Sequence, residues 1–185
     1  RRQGGFFGRS CRTVKPMSKI ILRAITAADC AIISAAFRKQ AWEKPSSQYE
    51  QYLKYQEEGQ RDVIIAEVEQ QFAGYLTIAW QASYQPFRAQ AIPEIVDFNV
   101  LKKFQRQHIG TALMDEAERR ISRVSKYAGI GFGLMQDYGA AQILYIKRGY
   151  IPDGRGIVKD SKPLSYGDKV TINDDLALCL LKALD

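Results

Sequence analysis

Cysteine and histidine, which build many active sites and metal sites, are scarce in this chain. Its 185 residues include three cysteines and one histidine. Cys11, Cys30 and Cys179 are odd in number and form no CxxC pair, which argues against a disulfide framework or a zinc site. A single histidine also removes most histidine-based mechanisms, so we expect no metal. Reduced cytoplasm is the simplest compartment for such a protein.

Long apolar runs and internal repeats are missing as well. No apolar stretch approaches the roughly 18–20 residues that span a bilayer, so we expect no membrane segment. The net charge is +7, but residues 1–16 hold five basic side chains and no acidic one. This distribution disfavours nucleic acid as a partner. We interpret residues 1–17 as upstream or added sequence, with a functional basic arm as the alternative, and residues 18–185 as one domain.

What is present is typical of a soluble globular domain: 46% of the residues are hydrophobic and 25% are charged. Helical and extended patterns alternate along the chain, which predicts an α/β (α+β) fold with a mixed, mostly antiparallel sheet and about four flanking helices. The predicted strands cover residues 19–25, 62–68, 71–80, 94–101, 129–134, 150–157 and 173–181. The predicted helices cover residues 26–42, 45–58, 110–124 and 138–148.

The segment from Glu94 to Tyr150 carries most of the functional signal. An extended stretch turns at Gly110 into a helix that places apolar residues on one face. Those residues are Leu113, Met114, Ala117, Ile121 and Val124. A strand that feeds a helix through a short turn presents unpaired backbone N–H groups and the positive end of the helix dipole. Such a helix start favours an anion, most often a phosphate.

The residues of this turn, FQRQHIGTAL, resemble the acetyl-CoA loop of the GNAT superfamily of N-acetyltransferases. That loop reads Gln or Arg, two residues, Gly, one residue, then Gly or Ala. One register runs from Gln105 to Gly110 and places His108 at the first Gly; a second runs from Gln107 to Ala112. We prefer the first, because it keeps the family's distance back to Val100.

A second stretch, DYGAAQILYIKRGY, is similar to a later motif of the same family, with Tyr138 where the family has Asn. The matching residues are Ala140, Ala141, Leu144, Tyr145, Lys147, Gly149 and Tyr150. The resemblance covers about residues 18–185 and implies the GNAT fold, acetyl-CoA as cosubstrate and direct acetyl transfer to a primary amine. The acceptor would be a small molecule or a peptide, and a homodimer is left open.

The resemblance also implies which residues bind the cofactor. Backbone groups of the strand would bond the pantetheine, and N–H groups of the turn would hold the pyrophosphate. The expected binding residues are Phe98, Asn99, Val100, Gln105, Arg106, Gln107, His108, Ile109, Gly110, Thr111 and Tyr138.

Amine acetylation needs a base, because an alkylammonium has a pKa of about 10.4. Glu94 precedes Val100 by six positions, where the family's histone acetyltransferases carry their base; the alternative is a solvated strand-end residue. Asp97 is the rival, although its odd offset predicts the opposite face of the strand. Tyr145 takes the position from which the family protonates the leaving thiolate, and a core aromatic is its alternative.

Two other functional classes stay open: a CoA-binding regulator without turnover, and a basic nucleic-acid-binding module. Tyr49, Tyr52 and Tyr55, which follow Trp42, form either a core stripe or the wall of an acceptor pocket. Cys179 lies in the apolar run LALCLL, where we expect packing rather than nucleophilic chemistry.

Overall fold

The computed structural model describes residues 19–184, which form one sheet and five α-helices. The strands are β1 (Ile20–Ala24), β2 (Arg61–Val68), β3 (Gln71–Ala79), β4 (Glu94–Val100), β5 (Tyr127–Gly133), β6 (Ile151–Lys159), β7 (Lys162–Pro163) and β8 (Leu176–Ala183). The helices are α1 (Ala27–Arg38), α2 (Ser46–Glu57), α3 (Gln85–Arg88), α4 (Ile109–Ile121) and α5 (Gly139–Lys147). The predicted order of elements is confirmed, with the single-turn α3 and the short β7 in addition.

The eight strands lie in the order β1-β2-β3-β4-β5-β8-β6-β7. All neighbouring strands are antiparallel except β4 and β5, which are parallel. These two pair at only two positions, Glu94 with Gly129 and Ile95 with Ile130. Beyond them the strands part, and β5 continues beside β8 as far as Gly133. We call the resulting opening in the sheet the β4–β5 gap.

Local sequence signals explain several element ends. Thr26 and Asp29, three residues apart, form a capping box at the start of α1. That helix ends at Arg38 instead of near Trp42. Ala41 adopts a left-handed φ of 60° and the N–H of Trp42 turns back to the carbonyl of Phe37, a Schellman-type end.

Of the three apolar clusters among the described residues, two lie between the sheet and the longer helices, one on each face. On the face we call the α4 face, Leu76, Ile78 and Ile95 pack against α4 and α5. On the other, the α2 face, Val63, Ile65 and Tyr75 pack against α1 and α2, and the buried ring of Tyr49 belongs to this core. The apolar stripe of α4 is buried from Ile109 to Ile121. The expectation for Val124 is wrong, because the helix ends at Ile121 and leaves Val124 70% exposed.

The interpretation of residues 1–17 as an extension falls outside the described residues and stays a prediction, as does the domain boundary at residue 18. Between residues 19 and 184, no helix has both the length and the apolar character needed to cross a membrane. In the same range, no three His, Cys, Asp or Glu side chains group as metal ligands.

Candidate active site

Strand β4 contains a β-bulge beside the β4–β5 gap. Val96 pairs with Thr77 and Asn99 pairs with Tyr75, so that Asp97 and Phe98 together oppose the single residue between those partners on β3. Asp97 takes a left-handed φ of 47° to accommodate the extra residue. The bulge shifts the alternation of side chains along the strand by one position.

This shift corrects the expectation that Glu94 and Asp97 point to opposite faces. Glu94 pairs with Ala79 on the α2 face, whereas the next residue, Ile95, belongs to the α4-face core. The carboxylate of Asp97 contacts Tyr75, which also lies on the α2 face. Both carboxylates therefore face the same side of the sheet, because simple alternation holds only for an unbulged strand.

The carboxylate of Asp97 is saturated with hydrogen bonds. Its five donors are Lys44 Nζ (2.8 Å), Gln48 Nε2 (2.8 Å), Tyr52 OH (2.9 Å), Tyr75 OH (2.5 Å) and Asn99 Nδ2 (2.7 Å). Burial acts to raise the pKa of Asp97, but the charge and hydrogen bonds of Lys44 and the two phenols hold it below its ordinary value. A carboxylate that stays charged with every lone pair occupied is a poor proton acceptor. Asp97 is placed to anchor the bulge.

Glu94 lies at the start of the β4–β5 gap in a very different environment. It is 8% exposed, and burial raises its pKa to about 7, although the backbone amides of Ser83 and Tyr84 and the charge of Arg61 act in the opposite direction. Gly131 on β5 leaves space beside the carboxyl, since a Cβ there would lie 4.0 Å from Glu94 Oε1. A carboxyl group with a pKa near neutrality can exchange a proton at physiological pH.

Tyr145 on α5 lies on the α4 face, opposite Glu94. Its ring packs within 6.2–6.5 Å, centroid to centroid, of the rings of Phe98, Phe132 and Tyr150. Burial and then the neighbouring phenol of Tyr138 raise its pKa, so the phenol stays protonated at neutral pH. Tyr145 is therefore part of the apolar core, which is the alternative that the sequence analysis gave for this residue. A protonated phenol in this position is also compatible with the role of acid, which stays a prediction.

The predicted anion loop connects the bulged strand to α4. A 3-10 helix at Lys102–Phe104 follows the strand, and Arg106 and His108 then adopt left-handed φ values of 59° and 62°. His108 is the N-cap of α4, so the amides of Ile109, Gly110 and the next residue begin the helix without intrahelical partners. The left-handed backbone of His108 is the conformation that Gly prefers, which favours the register that places His108 at a Gly position.

Close packing fixes this loop against the bulge. A Cβ at Gly110 would lie 3.1 Å from Phe98 Cζ, so the start of α4 and the bulge residue touch directly. Gln105 and Gln107 donate from their side chains to the carbonyls of Val100 and Lys103, at 3.3 Å and 3.0 Å. The unpaired amides and the gap beside Phe98 fit a cofactor with a phosphate group and an extended arm.

Tyr138, which replaces the family's Asn, ends a 3-10 helix at Gln136–Tyr138 just before α5. Its ring covers the backbone of Gly133 at the end of β5, where a Cβ would lie 2.6 Å from the ring. It is half-buried beside the β4–β5 gap. The start of α4 and Phe98 of the bulge thus lie on the α4 face, whereas the ring of Tyr138 covers Gly133, which shares a face of β5 with Gly131, the residue beside Glu94.

Sequence reasoning missed several side chains of the α2 face. Arg61 lies in the same row of the sheet as Glu94, Thr77 lies in the next row on that face, and Lys44 binds Asp97. The alternation Arg61, Val63, Ile65 in β2 is a signal that could have placed Arg61 on this face. Two residues that the sequence analysis did name adjoin Asp97 and Lys44: Tyr52 donates its hydroxyl to Asp97, and the indole of Trp42 packs against the Lys44 ammonium at 4.9 Å.

Comparisons with known proteins agree with this geometry. The family model described as "Acetyltransferase (GNAT) domain" matches residues 59–152, which is half of the chain. A search of curated proteins found no match. Many solved structures match this chain.

Three of these structures illustrate the similarity. The ribosomal-protein-alanine N-acetyltransferase of Brucella melitensis is 20% identical over 89% of this chain and 99% of its own, with a TM-score of 0.63. The yncA protein of Salmonella typhimurium, solved with its cofactor acetyl-CoA, is 17% identical over 90% of this chain and 94% of its own, with a TM-score of 0.63. A chimera of the Vibrio cholerae spermidine N-acetyltransferase SpeG and hSSAT is 13% identical over 90% of this chain and 96% of its own, with a TM-score of 0.64.

At these identities the solved structures establish the fold, and the family model establishes the membership. The mixed, mostly antiparallel sheet flanked by helices is confirmed as the GNAT fold. The chain belongs to the GNAT acetyltransferase family and is an acetyl-CoA-dependent acyltransferase.

Proposed function

We propose that this protein transfers an acetyl group directly from acetyl-CoA to a primary amine, with Glu94 as the base and Tyr145 as the acid. One observation carries the proposal: a buried carboxyl with a pKa of about 7 lies where β4 and β5 part, and a protonated phenol lies on the opposite face. Proton acceptor and proton donor thus flank one opening in the sheet.

Residues of the loop and the bulge would hold the cofactor. The amides at the start of α4, from Ile109 to Thr111, would bind the pyrophosphate, and the left-handed turn at His108 would orient them. Backbone groups of Phe98, Asn99 and Val100 would bond the pantetheine. Tyr138 would offer its phenol at the place where the family has an amide. When bound, acetyl-CoA supplies a thioester whose acetyl carbon is open to attack by an amine.

The role of Glu94 follows from its protonation range. A primary ammonium has a pKa of about 10.4 and cannot attack until it loses a proton. A carboxyl group with a pKa of about 7 is about half charged at neutral pH and largely charged above it, and its carboxylate form accepts that proton better than an ordinary glutamate does. Asp97 does not compete for this role, because its hydrogen bonds keep it charged and fully occupied.

The acceptor itself is less constrained by the fold. The solved relatives act on amines as different as a ribosomal-protein alanine and spermidine. We propose a small-molecule or peptide amine as acceptor for this chain. A homodimer and a cytoplasmic location remain predictions.

The direct test is a panel of primary amines incubated with acetyl-CoA, with thiol release followed optically and each acetylated product identified by mass spectrometry. We expect at least one amine to be acetylated at a rate that depends on enzyme concentration. Tight acetyl-CoA binding without any acetylated amine would contradict the proposal and favour a CoA-binding regulator. Heat-denatured protein provides the background of spontaneous thioester loss.

A further inference from the structure

Arg61 is held in a defined orientation on the α2 face of the sheet. Its Nη1 donates to Thr77 Oγ1 at 2.7 Å, and its guanidinium carbon lies 4.7 Å from the centre of the Tyr52 ring. Thr77 in turn donates to the carbonyl of Val96 at 2.8 Å, and the hydroxyl of Tyr52 is bound to Asp97. Thr77 and Tyr52, which hold the guanidinium, are therefore themselves bound to β4. Thr77 is bound to Val96, and Tyr52 is bound to Asp97 in the bulge.

Arg61 shares a row of the sheet with Glu94. Arg61 pairs with Ala79 and Ala79 pairs with Glu94, so the three side chains lie on one face across three adjacent strands. Two strand spacings of about 4.8 Å separate the two charged residues at their Cα atoms. The middle residue of the row is Ala79, which contributes only a methyl group between the two charged residues.

The guanidinium has donors to spare. It has five N–H groups, and within residues 19–184 its side chain makes one hydrogen bond to protein, the bond to Thr77. Two nearby acids are engaged elsewhere: Asp62, the next residue in sequence, binds Arg120 and Trp80, and Asp97, the partner of Tyr52, binds Lys44. A half-buried, oriented guanidinium with unused N–H groups is suited to bind a carboxylate or another planar anion.

We propose that Arg61 determines acceptor specificity by binding a carboxylate of the amine substrate, so that the acceptor is an amino acid or a similar small amine with a carboxylate nearby. This inference rests on the proposed function, since it takes Glu94 as the group that meets the amine. An amino acid carries a positive and a negative charge. Its ammonium can lie toward Glu94 while its carboxylate lies toward Arg61. A polyamine would instead bring a second positive charge toward the guanidinium, which is unfavourable.

The test compares pairs of acceptors that differ only in the carboxylate: a series of L-amino acids and the corresponding L-amino acid amides. We measure kcat/KM with acetyl-CoA for both members of each pair, and spermidine serves as a polyamine. The wild-type protein should prefer the acid over its amide by about 10- to 100-fold, the usual range for hydrogen bonds to a charged group. Arg61→Gln should bring that ratio close to one, and Arg61→Lys should keep only part of it.

The matched control is Arg123→Gln, which removes an exposed arginine just after α4 and should leave the ratio unchanged. Circular dichroism confirms that each variant is folded. A preference for amides or spermidine in the wild-type protein, or an acid preference that survives Arg61→Gln, would overturn the inference while the proposed function stands.

A binding measurement separates the two proposals if no amine is acetylated, in which case the proposed function fails. Calorimetry then titrates the amino acids and their amides into protein saturated with CoA. Tighter binding of an acid than of its amide, abolished in Arg61→Gln, would support carboxylate recognition without turnover. Equal binding of both members of every pair, or binding of neither, would overturn it.

Discussion

The two carboxylates of strand β4 lie three residues apart on the same face of the sheet, and their surroundings differ in almost every respect. Glu94 is 8% exposed, and burial raises its pKa to about 7 against the backbone amides of Ser83 and Tyr84 and the charge of Arg61. Asp97 is also mostly buried, yet the charge of the Lys44 ammonium and the hydrogen bonds of its donors, Lys44 among them, keep its pKa below the ordinary value. Burial alone therefore does not decide the charge of a carboxyl; the neighbouring charge and the hydrogen bonds that reach it decide as well.

The difference assigns the two groups separate tasks. The left-handed backbone of Asp97 is unfavourable by about 1 kcal/mol or more, and its hydrogen bonds offset this. Asp97 thereby stabilises the bulge that moves Phe98 to the α4 face, against the start of α4. At Glu94 the fold disfavours the ionised form, whereas at Asp97 it favours it. A raised pKa of this kind is expected of a carboxylate that must take up a proton.

The largest effect should come from Glu94→Gln, which removes the proposed base and nearly preserves its shape. We expect kcat to fall by about 10²–10⁴-fold at neutral pH, the usual worth of a positioned proton-transfer group. Acetyl-CoA affinity, measured by calorimetry, should barely change. In the wild-type protein kcat/KM should rise through about pH 7 as Glu94 loses its proton.

The loss in Glu94→Gln should shrink as the pH approaches the pKa of the amine, because free amine then needs no base. The assignment of Glu94 as the base and Asp97 as a structural residue would be wrong if Glu94→Gln kept full activity while Asp97→Asn, in a folded protein, abolished it. If neither acid mattered, water or the substrate would manage the proton.

The second prediction concerns the stability supplied by Asp97. Asp97→Ala leaves the Lys44 ammonium, whose side chain is 12% exposed, without its carboxylate. We expect the free energy of unfolding to fall by about 3 kcal/mol or more, as when one partner of a buried pair is removed. Urea denaturation at pH 7 measures the change.

The control for this prediction is Asp97→Ala combined with Lys44→Met, which removes both charges and should recover part of the loss. The pKa of Asp97 is lowered by folding, so its contribution is complete above the ordinary aspartate pKa and is lost as the pH falls through the lower, folded value. Equal stability of wild type and Asp97→Ala at pH 7 would show that the bulge needs no anchor.

These two acids also show where sequence reasoning works and where it stops. The capping box at Thr26, the turn at Glu69 and Gln70 and the stop at Gly149 were all predictable, because each depends on residues close together in sequence. The anion loop was predictable from its spacing for the same reason. Its exact use in binding stays a prediction.

The bulge was not predictable, because one extra residue in a strand leaves the apolar pattern of β4 nearly unchanged. The alternation rule then assigned Asp97 to the wrong face. The partners of Asp97 lie far away in the chain: Lys44 is 53 residues before it and Tyr75 is 22. The pKa of Glu94 depends likewise on burial by other strands, so it follows from the assembled sheet and not from the residue's neighbours.

The third prediction sharpens the comparison by measuring stability at Glu94. Its pKa rises from an ordinary 4.5 to about 7 on folding, so the folded state loses stability as the pH rises from about 4.5 to 7. Glu94→Gln has no charge to bury and should therefore unfold less readily than wild type at pH 8, by about 1–3 kcal/mol. At pH 4.5 the two proteins should be nearly equal.

Urea denaturation at both pH values provides the test, with Glu57→Gln as the control because this glutamate is exposed on α2. A Glu94→Gln variant less stable than wild type at pH 8 would mean that the charged carboxylate is stabilised in the fold. The contrast with Asp97 would then be lost.

The smallest effect is expected at His108, on the cofactor side of the gap. His108→Gly replaces a side chain at a left-handed φ of 62° with the residue that adopts this conformation without strain. The gain in the folded state is partly offset by the greater freedom of glycine in the unfolded chain, so stability should change by less than about 1 kcal/mol. Acetyl-CoA affinity, measured by calorimetry, should be unchanged or slightly higher if the imidazole only occupies a glycine position. Gly110→Ala is the contrasting variant, because its Cβ would press on Phe98 at 3.1 Å and should weaken binding. A tenfold loss of affinity in His108→Gly would instead mean that the imidazole itself contacts the cofactor.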